Sequence, residues 1–344
     1  MSYRVTVKNT GETVTVEMGQ TVLEAALAQG VPYPHGCRSG NCGACKSELA
    51  SGEVEMSPYS EYALSDAEKA QGLVLACRSV PWSDAELRWL DANETVAHPL
   101  RHMTCRVVAL EQATHDIRIV RLAVETGGPF DFSAGQYASV TFDDLPPRDF
   151  SMANRPDETP LEFHIRLTPG GRVSPYVAHR LKEGDTVKVE GPFGSSHWRE
   201  AHAGPILAVA GGSGLAPIKS IVETGLKGGA RQPIHLYFGA RAERDVYLEA
   251  RFKALAAQHA NFRYTVVLSE PDGPTERRTG FLADTIARDF TDLDGAKAYL
   301  AGPPIMVETV EQVLKRLGMR RQDCHADAFY TEAEKAQIEF GARP

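Results

Sequence analysis

The sequence has no long apolar run. No stretch of its 344 residues approaches the roughly 18 consecutive apolar residues that a membrane span requires. Residues 1–8, MSYRVTVK, alternate between apolar and polar side chains and lack the apolar segment of a signal peptide. These absences predict a cytoplasmic protein that does not enter a membrane. Thiols stay reduced in the cytoplasm, so clustered cysteines there indicate metal binding or catalysis rather than disulfides.

An excess of positive charge is also lacking. The chain has 37 Lys and Arg against 45 Asp and Glu, a net charge of −8, which argues against nucleic acid as a partner. The acidic excess is uneven, because residues 1–93 carry 7 basic and 12 acidic side chains. This imbalance favours a docking face for a basic partner, and a merely solvated acidic surface explains it equally well. A monomer is the default expectation.

Four of the six cysteines lie in the first 77 residues. Cys37, Cys42 and Cys45 follow the spacing C-x4-C-x2-C within HGCRSGNCGACKS, and Cys77 comes later. This spacing with a distant fourth cysteine is typical of a plant-type two-iron two-sulfur (2Fe-2S) cluster. Glycines let such a loop curl tightly, so that backbone N–H groups approach the cluster sulfurs. The alternatives are a structural zinc site, which usually shows paired C-x2-C units, and incidental free thiols.

The pattern of strands and helices changes twice along the chain. Residues 1–93 predict a hairpin, a helix and further strands in one compact α+β domain, and residues 94–101 form a linker. Residues 102–199 contain closely spaced short strands without a long helix, which predicts an antiparallel β-barrel. Residues 203–344 alternate buried strands with helices, which predicts a parallel doubly wound α/β sheet. The fold class is therefore multidomain.

The barrel carries the stretch Arg148-Asp-Phe150-Ser151. An arginine fork suits a diphosphate. Phe150 and Ser151 are adjacent and would point to opposite faces of a strand, so spacing alone assigns them no joint role. An iron–sulfur cluster takes up one electron at a time and cannot accept a hydride. If the chain draws electrons from a nicotinamide, it also needs a flavin.

A glycine-rich turn, Gly211-Gly-Ser-Gly214, follows an apolar strand and precedes a helix that contains Pro217. Such a turn lets backbone approach a pyrophosphate at a helix N-terminus. It departs from G-x-G-x-x-G, which disfavours a standard Rossmann dehydrogenase. Arg241 and Arg244 could meet the 2′-phosphate of NADPH, whereas Glu243 would oppose it. We therefore expect NADH as the donor, with NADPH possible.

These motifs resemble those of a known family. Residues 1–93 resemble a plant-type ferredoxin domain of β-grasp fold, and residues 103–344 resemble the ferredoxin–NADP reductase superfamily, with Phe150 in place of its usual tyrosine. The domain order resembles the reductase component of multicomponent bacterial oxygenases. The resemblance implies electron transfer from NADH to FAD, to the 2Fe-2S cluster and to a separate terminal oxygenase, an aromatic-ring dioxygenase or a monooxygenase. A reductase partner in deoxysugar biosynthesis and a ferredoxin-like binding or sensor protein without turnover are the alternatives.

The resemblance also implies roles for single residues. Arg148 would bind flavin phosphate, Phe150 would lie against the isoalloxazine, and Ser151 would sit near its N5. The residues implied in catalysis are Ser151, Phe150 and Phe329. The other residues implied in cofactor binding are His164, Ile165, Arg166, Gly171, Arg172, Val173, Ser174, Gly211, Gly212, Ser213, Gly214, Pro217, Gly239, Arg241, Gly302, Pro303 and Met306. The metal ligands would be Cys37, Cys42, Cys45 and Cys77.

Overall fold

The computed structural model describes residues 2–90 and 98–339. Residues 94–97 of the predicted linker lie outside the described residues. Internal contacts divide the described chain into two units. The first contains residues 2–90, 98–99, 193–195 and 330–339, and the second contains residues 100–192 and 196–329. Among the described residues, no helix has both the length and the apolar character needed to cross a bilayer.

The first unit begins with the predicted hairpin, formed by antiparallel β1 (Ser2–Val7) and β2 (Glu12–Glu17). Alternate residues of both strands are buried, as a period of two requires. Helix α1 (Val22–Ala28) follows. Its start is a capping box, as the spacing of Thr21 and Glu24 predicts: Thr21 Oγ1 accepts the Glu24 N–H and the Glu24 carboxylate accepts the Thr21 N–H.

The rest of this unit completes a mixed sheet. Its elements are β3 (Lys46–Ser51), β4 (Val54–Met56), α2 (Asp66–Ala70), β5 (Leu73–Leu75), β6 (Ser79–Pro81) and β7 (Ala85–Trp89). The strand order is β2-β1-β7-β3-β5, with β7 parallel to β1, and β4 pairs with β6 separately. Apolar side chains from the sheet and α1 form one core. The predicted α+β ferredoxin fold is confirmed.

The second unit opens with an antiparallel sheet. Its strands are β8 (Arg101–Gln112), β9 (Ile117–Thr126), β10 (Tyr137–Phe142), β11 (Arg148–Ser151) and β12 (Leu161–Arg166), followed by α3 (Val173–His179) and β13 (Thr186–Phe193). The order is β11-β10-β13-β8-β9-β12. A bridge between Met152 and Phe163 joins the two edges. This near-closure confirms the predicted barrel.

A parallel sheet follows within the same unit. Its elements are β14 (Ile206–Gly211), α4 (Leu215–Lys227), β15 (Ile234–Ala240), α5 (Glu249–Gln258), β16 (Phe262–Leu268), β17 (Arg278–Thr279), α6 (Leu282–Asp289), β18 (Lys297–Gly302), α7 (Pro304–Arg316) and β19 (Cys324–Ala328). The order is β17-β16-β15-β14-β18-β19, and every pair is parallel. This confirms the predicted α/β class. Helix α8 (Glu332–Glu339) belongs to the first unit.

Strand β14 lies at the centre of this sheet and is buried throughout. Ile206, Ala208 and Ala210 pack into the core on one face, and Leu207 and Val209 pack into the core on the other. A strand covered on both faces is uniformly apolar, which explains the sequence ILAVAG. The chain runs outward from β14 to β15 on one side, whereas β18 flanks it on the other. The carboxyl ends of β14 and β18 therefore border the switch point, where ligands of such sheets bind.

Candidate functional site

The four predicted iron ligands lie together in the first unit. Cys37 and Cys42 belong to the irregular loop between α1 and β3. Cys45 directly precedes β3. Cys77 follows β5, which is the antiparallel neighbour of β3. The Ala76 N–H donates to the Cys45 carbonyl at 3.2 Å, so strand pairing itself brings the fourth cysteine to the loop. Cys45 and Cys77 are almost fully buried.

Backbone N–H groups surround the loop thiols. The Asn41 N–H donates to Cys37 Sγ at 3.1 Å, and the Cys37 N–H donates to Cys42 Sγ at 3.3 Å. The hydrogen bond with the Cys42 thiol and the N–H groups of Ser39 and Asn41 lower the pKa of Cys37 against the effect of burial, and so favour its thiolate. A Cβ on Gly36 would lie 2.9 Å from Cys42 Sγ, too close for any other residue there. The donor set fits soft iron.

The thiols hydrogen-bond in two pairs, Cys37 with Cys42 and Cys45 with Cys77. Two thiolates for each iron is what a four-cysteine 2Fe-2S cluster requires. A structural zinc ion would instead gather four ligands around one centre. The pairing fits the two thiolates that each iron of such a cluster takes.

In the barrel, β11 presents Phe150 and Ser151 to opposite sides. The half-buried Phe150 ring packs with the barrel core, 6.2 Å from the Phe142 ring between centroids. Ser151 is buried, and its hydroxyl donates to Asp327 Oδ2 of β19 at 3.1 Å. Arg148 begins the same strand and is half-buried, with Nη1 donating to the Pro147 carbonyl at 2.7 Å. A ring and a guanidinium on one short strand fit a flavin with its phosphates.

Strand β12 supplies three predicted cofactor residues with different surroundings. Ile165 lies in the barrel core. The His164 ring is buried, with its nitrogens 3.0 Å from Tyr247 Oη and 3.2 Å from Glu162 Oε1, and burial lowers the pKa of His164. Only Arg166 extends towards the glycine turn, since a Cβ on Gly212 would lie 3.1 Å from its Nη1.

The turn after β12 is tight. A Cβ on Gly171 would lie 3.1 Å from the Thr168 carbonyl oxygen, and the Ser174 hydroxyl accepts the Thr168 N–H at 2.9 Å. Val173 lies in the barrel core, whereas Arg172 is exposed. The exposed backbone of residues 170–172 is therefore the part of this turn that a ligand can reach.

The two glycine motifs of the parallel sheet meet backbone to backbone. A Cβ on Gly214 would lie 2.1 Å from the Ala301 carbonyl oxygen. Gly302 has a φ of +144°, and a Cβ there would lie 2.9 Å from the Gly211 carbonyl oxygen. A Cβ on Gly211 would meet Met306 Sδ at 2.6 Å and Pro303 Cδ at 3.0 Å. We call residues 211–214 with 301–303 the glycine cradle; most of it is buried, and the part that a diphosphate could reach is at Gly212, Ser213 and Pro303.

Three other predicted residues border this end of the sheet. Gly239 lies one strand away on β15, where a Cβ would lie 2.7 Å from Leu282 Cδ1. Pro217 is buried in the first turn of α4, and Ser213 is half-buried in the turn itself. Phe329 follows β19, is half-buried, and its N–H donates to the Gly302 carbonyl at 2.8 Å. The structure therefore brings Phe329 to the glycine cradle.

An ion-pair network, not predicted from the sequence, flanks the cradle. Asp116 Oδ2 lies 2.8 Å from Arg166 Nε and 3.1 Å from Arg241 Nη2. Arg241 Nη2 is also 3.3 Å from Asp245 Oδ1. Burial alone would raise the pKa of Asp116, but the Thr114 hydroxyl and the Arg166 guanidinium lower it, so the group is a carboxylate. These partners are separated by 50 and 125 residues, and no local pattern indicates the pairing.

His115 lies beside this network. Its ligand atoms and those of Asp116 and Asp245 are all within 4.8 Å of one another, a spacing that could hold a metal ion. The two carboxylates already face guanidinium groups, which supply the positive charge that a metal would bring. Asp116 and Asp245 therefore serve to fix the positions of Arg166 and Arg241.

Comparison with known proteins agrees with this geometry. Residues 5–81 match the 2Fe-2S iron–sulfur cluster binding domain, residues 104–198 the oxidoreductase FAD-binding domain, and residues 208–312 the oxidoreductase NAD-binding domain. The chain is 42% identical over 318 residues to the ferredoxin–NAD(P)+ reductase component of the naphthalene 1,2-dioxygenase/salicylate 5-hydroxylase systems of a Ralstonia species, covering 92% of this chain and 95% of that protein.

Two further matches have the same extent. The reductase component of phenol 2-monooxygenase from Pseudomonas sp. strain CF600 is 36% identical, with 98% of this chain and 97% of that protein covered. The crystal structure of the Amycolatopsis cytochrome P450 reductase GcoB is 37% identical with a TM-score of 0.81, covering 95% of this chain and 98% of that one. The predicted cofactors, a 2Fe-2S cluster, FAD and a nicotinamide nucleotide, and the predicted oxidoreductase class are thereby confirmed. This chain belongs to the family of iron–sulfur flavoprotein reductases that serve as the reductase components of oxygenase systems.

Proposed function

We propose that this protein transfers electrons from NADH to a separate terminal oxygenase that acts on an aromatic compound. The observation that carries the proposal is the combination, in one chain, of a four-thiol site, a flavin-type barrel and a glycine cradle. Relatives that match over nearly their whole length are named for naphthalene, salicylate and phenol oxygenation. We propose a monomer as the working form.

The chain's own residues bind and orient the cofactors. The half-buried turn at Gly212 and Ser213 of the glycine cradle would hold the diphosphate of the nicotinamide nucleotide, with Arg166 beside it. Arg148 would receive flavin phosphate and the Phe150 ring would support the flavin ring. Ser151, whose hydroxyl is held by Asp327, would sit near the flavin edge. Bound FAD would supply the exchange between one two-electron hydride and two single electrons, and a 2Fe-2S cluster on the four cysteines would supply one-electron chemistry.

The first test is an anaerobic titration of the holoprotein with NADH and, separately, with NADPH. We expect the overlapping visible bands of the flavin and the iron–sulfur cluster to bleach together, and to bleach at lower concentrations of NADH than of NADPH. A spectrum that neither nucleotide changes contradicts the proposal.

The route through the cluster is tested by Cys42→Ser. This variant should lose NADH-dependent reduction of cytochrome c, a one-electron acceptor, and keep reduction of ferricyanide, which reduced flavin serves directly. Cys324→Ser is the matched control, because Cys324 lies at the start of β19 rather than among the four iron ligands. Unchanged cytochrome c reduction by Cys42→Ser would show that electrons bypass the cluster.

The acceptor is tested by reconstitution with the other purified components of naphthalene 1,2-dioxygenase and, in parallel, of phenol 2-monooxygenase. NADH-dependent formation of the hydroxylated product in either mixture supports a terminal oxygenase as partner. If NADH reduces the protein but neither mixture forms product, the reductase activity stands and these two oxygenase classes are excluded as acceptors.

A further inference from the structure

Arg241 directly follows the carboxyl end of β15. In sheets of this type, the residues after the second strand face the adenosine ribose of the nucleotide, where an acidic group suits the 2′-hydroxyl and an arginine suits a 2′-phosphate. Arg241 stands at that position. On this ground alone it would favour NADPH.

The structure shows that the charge of Arg241 is already compensated. Its Nη2 lies 3.1 Å from Asp116 Oδ2, on the turn between β8 and β9, and 3.3 Å from Asp245 Oδ1. Asp245 is fixed in turn, because its Oδ2 accepts the Ala242 N–H at 3.1 Å. Two carboxylates, Asp116 and Asp245, thus balance two guanidinium groups, Arg241 and Arg166, so the charge of Arg241 is compensated rather than free for a phosphate.

Arg244, on the same turn, is exposed and is a further cation that a 2′-phosphate could meet. The other charged side chains near this turn are paired. Glu243, on the same turn, is bound by both the Nε of Arg277 and the Thr275 hydroxyl. Arg277 also pairs with Glu249, so its charge is shared between two carboxylates. Arg166 Nε is held by Asp116 at 2.8 Å, which directs the rest of its guanidinium to Gly212 of the glycine cradle.

We propose that Asp116 biases the choice of nucleotide towards NADH: it compensates Arg241 against a 2′-phosphate and positions Arg166 for the diphosphate that both nucleotides share. This inference rests on the proposed binding of the nucleotide at the glycine cradle. It assigns a specificity role to a barrel residue outside the nucleotide-binding sheet. Asp116 is a positioning residue, since it acts through two arginines.

Asp116→Asn tests the proposal because it removes one negative charge and keeps the side-chain size. The ratio of kcat/KM for NADPH to that for NADH should rise about tenfold, the order expected for one charge near a phosphate dianion in a partly screened site. The affinity for 2′,5′-ADP relative to 5′-AMP, measured by calorimetry on the holoprotein, should rise in parallel. Both nucleotides should also bind somewhat more weakly as Arg166 loses its partner.

The matched control is Asp157→Asn. Asp157 also pairs with two cations, Arg155 and Lys227. Lys227 ends the 13-residue helix α4 that begins beside the cradle, about 20 Å away at 1.5 Å per residue. In Asp157→Asn, the ratio of kcat/KM for NADPH to that for NADH should stay at the wild-type value. Arg241→Ala in the Asp116→Asn background should cancel the gain, because the gain requires the released guanidinium.

The outcomes separate the two proposals. An unchanged ratio in Asp116→Asn, with NADH oxidation intact, overturns the specificity role and leaves the reductase function standing. A gain that persists after Arg241→Ala also overturns it, since the effect is then one of overall charge. If the wild-type protein neither binds 5′-AMP nor oxidises NADH, the nucleotide site itself is wrong.

Discussion

The iron-binding loop and the glycine cradle both depend on glycine, for different physical reasons. In the loop, Gly40 and Gly43 adopt φ values of +79° and +71°, which let the chain curl around sulfur. In the cradle, Gly214 and Gly302 lie against other backbone atoms, and a Cβ would overlap them. Space matters in the loop too, where a Cβ on Gly36 would lie 2.9 Å from Cys42 Sγ; there the neighbour is a side chain, whereas in the cradle it is backbone.

The protein groups that bind the cofactor also differ between the two sites. The loop gathers four identical side chains that bind one cluster as a set, so the loss of one ligand should abolish the site. The cradle combines backbone with ion pairs from several elements, so single changes should have graded effects. The following predictions test this contrast in order of decreasing effect.

The all-or-none character of the thiol site is tested at its most distant member. Cys77→Ser should abolish the iron–sulfur absorption and the cytochrome c reduction, because serine is a poor ligand for soft iron. Iron content and the visible spectrum measure the loss, with Cys324→Ser as the control. A Cys77→Ser protein that keeps two irons and normal electron transfer would show that the three loop cysteines suffice.

The demand for space in the cradle is tested by Gly214→Ala. The new methyl group would overlap the Ala301 carbonyl, and the backbone shift should cost about 3 kcal/mol of unfolding free energy. We expect a lower Tm by circular dichroism and a raised KM for NADH. Gly273→Ala is the control, because a Cβ there meets nothing within 4 Å. Equal Tm values for the two variants would remove the steric argument.

The Ser151–Asp327 hydrogen bond offers a smaller, positional effect. Asp327→Ala should lower kcat for NADH-dependent ferricyanide reduction about tenfold, the order expected for one hydrogen bond to a charged group. KM for NADH should change little. The double variant with Ser151→Ala should lose no more than the worse single variant, since the two groups act through one contact. Additive losses would show that they act independently.

The last prediction concerns a buried carboxyl group whose burial outweighs the attraction of the nearby Arg321, in contrast to Asp116. Burial raises the pKa of Glu311 on α7 from 4.5 to about 7. The folded state therefore holds this proton more tightly than the unfolded state, and the stability it contributes at low pH is lost as pH rises through 7. Glu311→Gln imitates the protonated form. The difference in unfolding free energy between Glu311→Gln and wild type should therefore be about 1–2 kcal/mol more favourable to the variant at pH 8.5 than at pH 5. A difference independent of pH contradicts the shift.

Much of the fold was predictable because its signals are local. The capping boxes at Thr21 and Ser65 form as their spacing predicts, and the uniformly apolar β14 becomes a central parallel strand. Strand β11 and the edge strand β19 are less evident. β11 has only four residues, and β19 is only partly buried, so neither has a clear apolar period.

The sequence by itself determined what neighbouring residues can decide: four thiols at cluster spacing, two glycine turns, and the order of three types of domain. The tertiary structure alone decided which distant groups meet. Asp116 reaches Arg241 across 125 residues, and Ser151 reaches Asp327 across 176. An ion pair depends on where two backbones converge, and that position follows from the packing of the barrel strands and the parallel sheet within one unit rather than from the residues beside each partner.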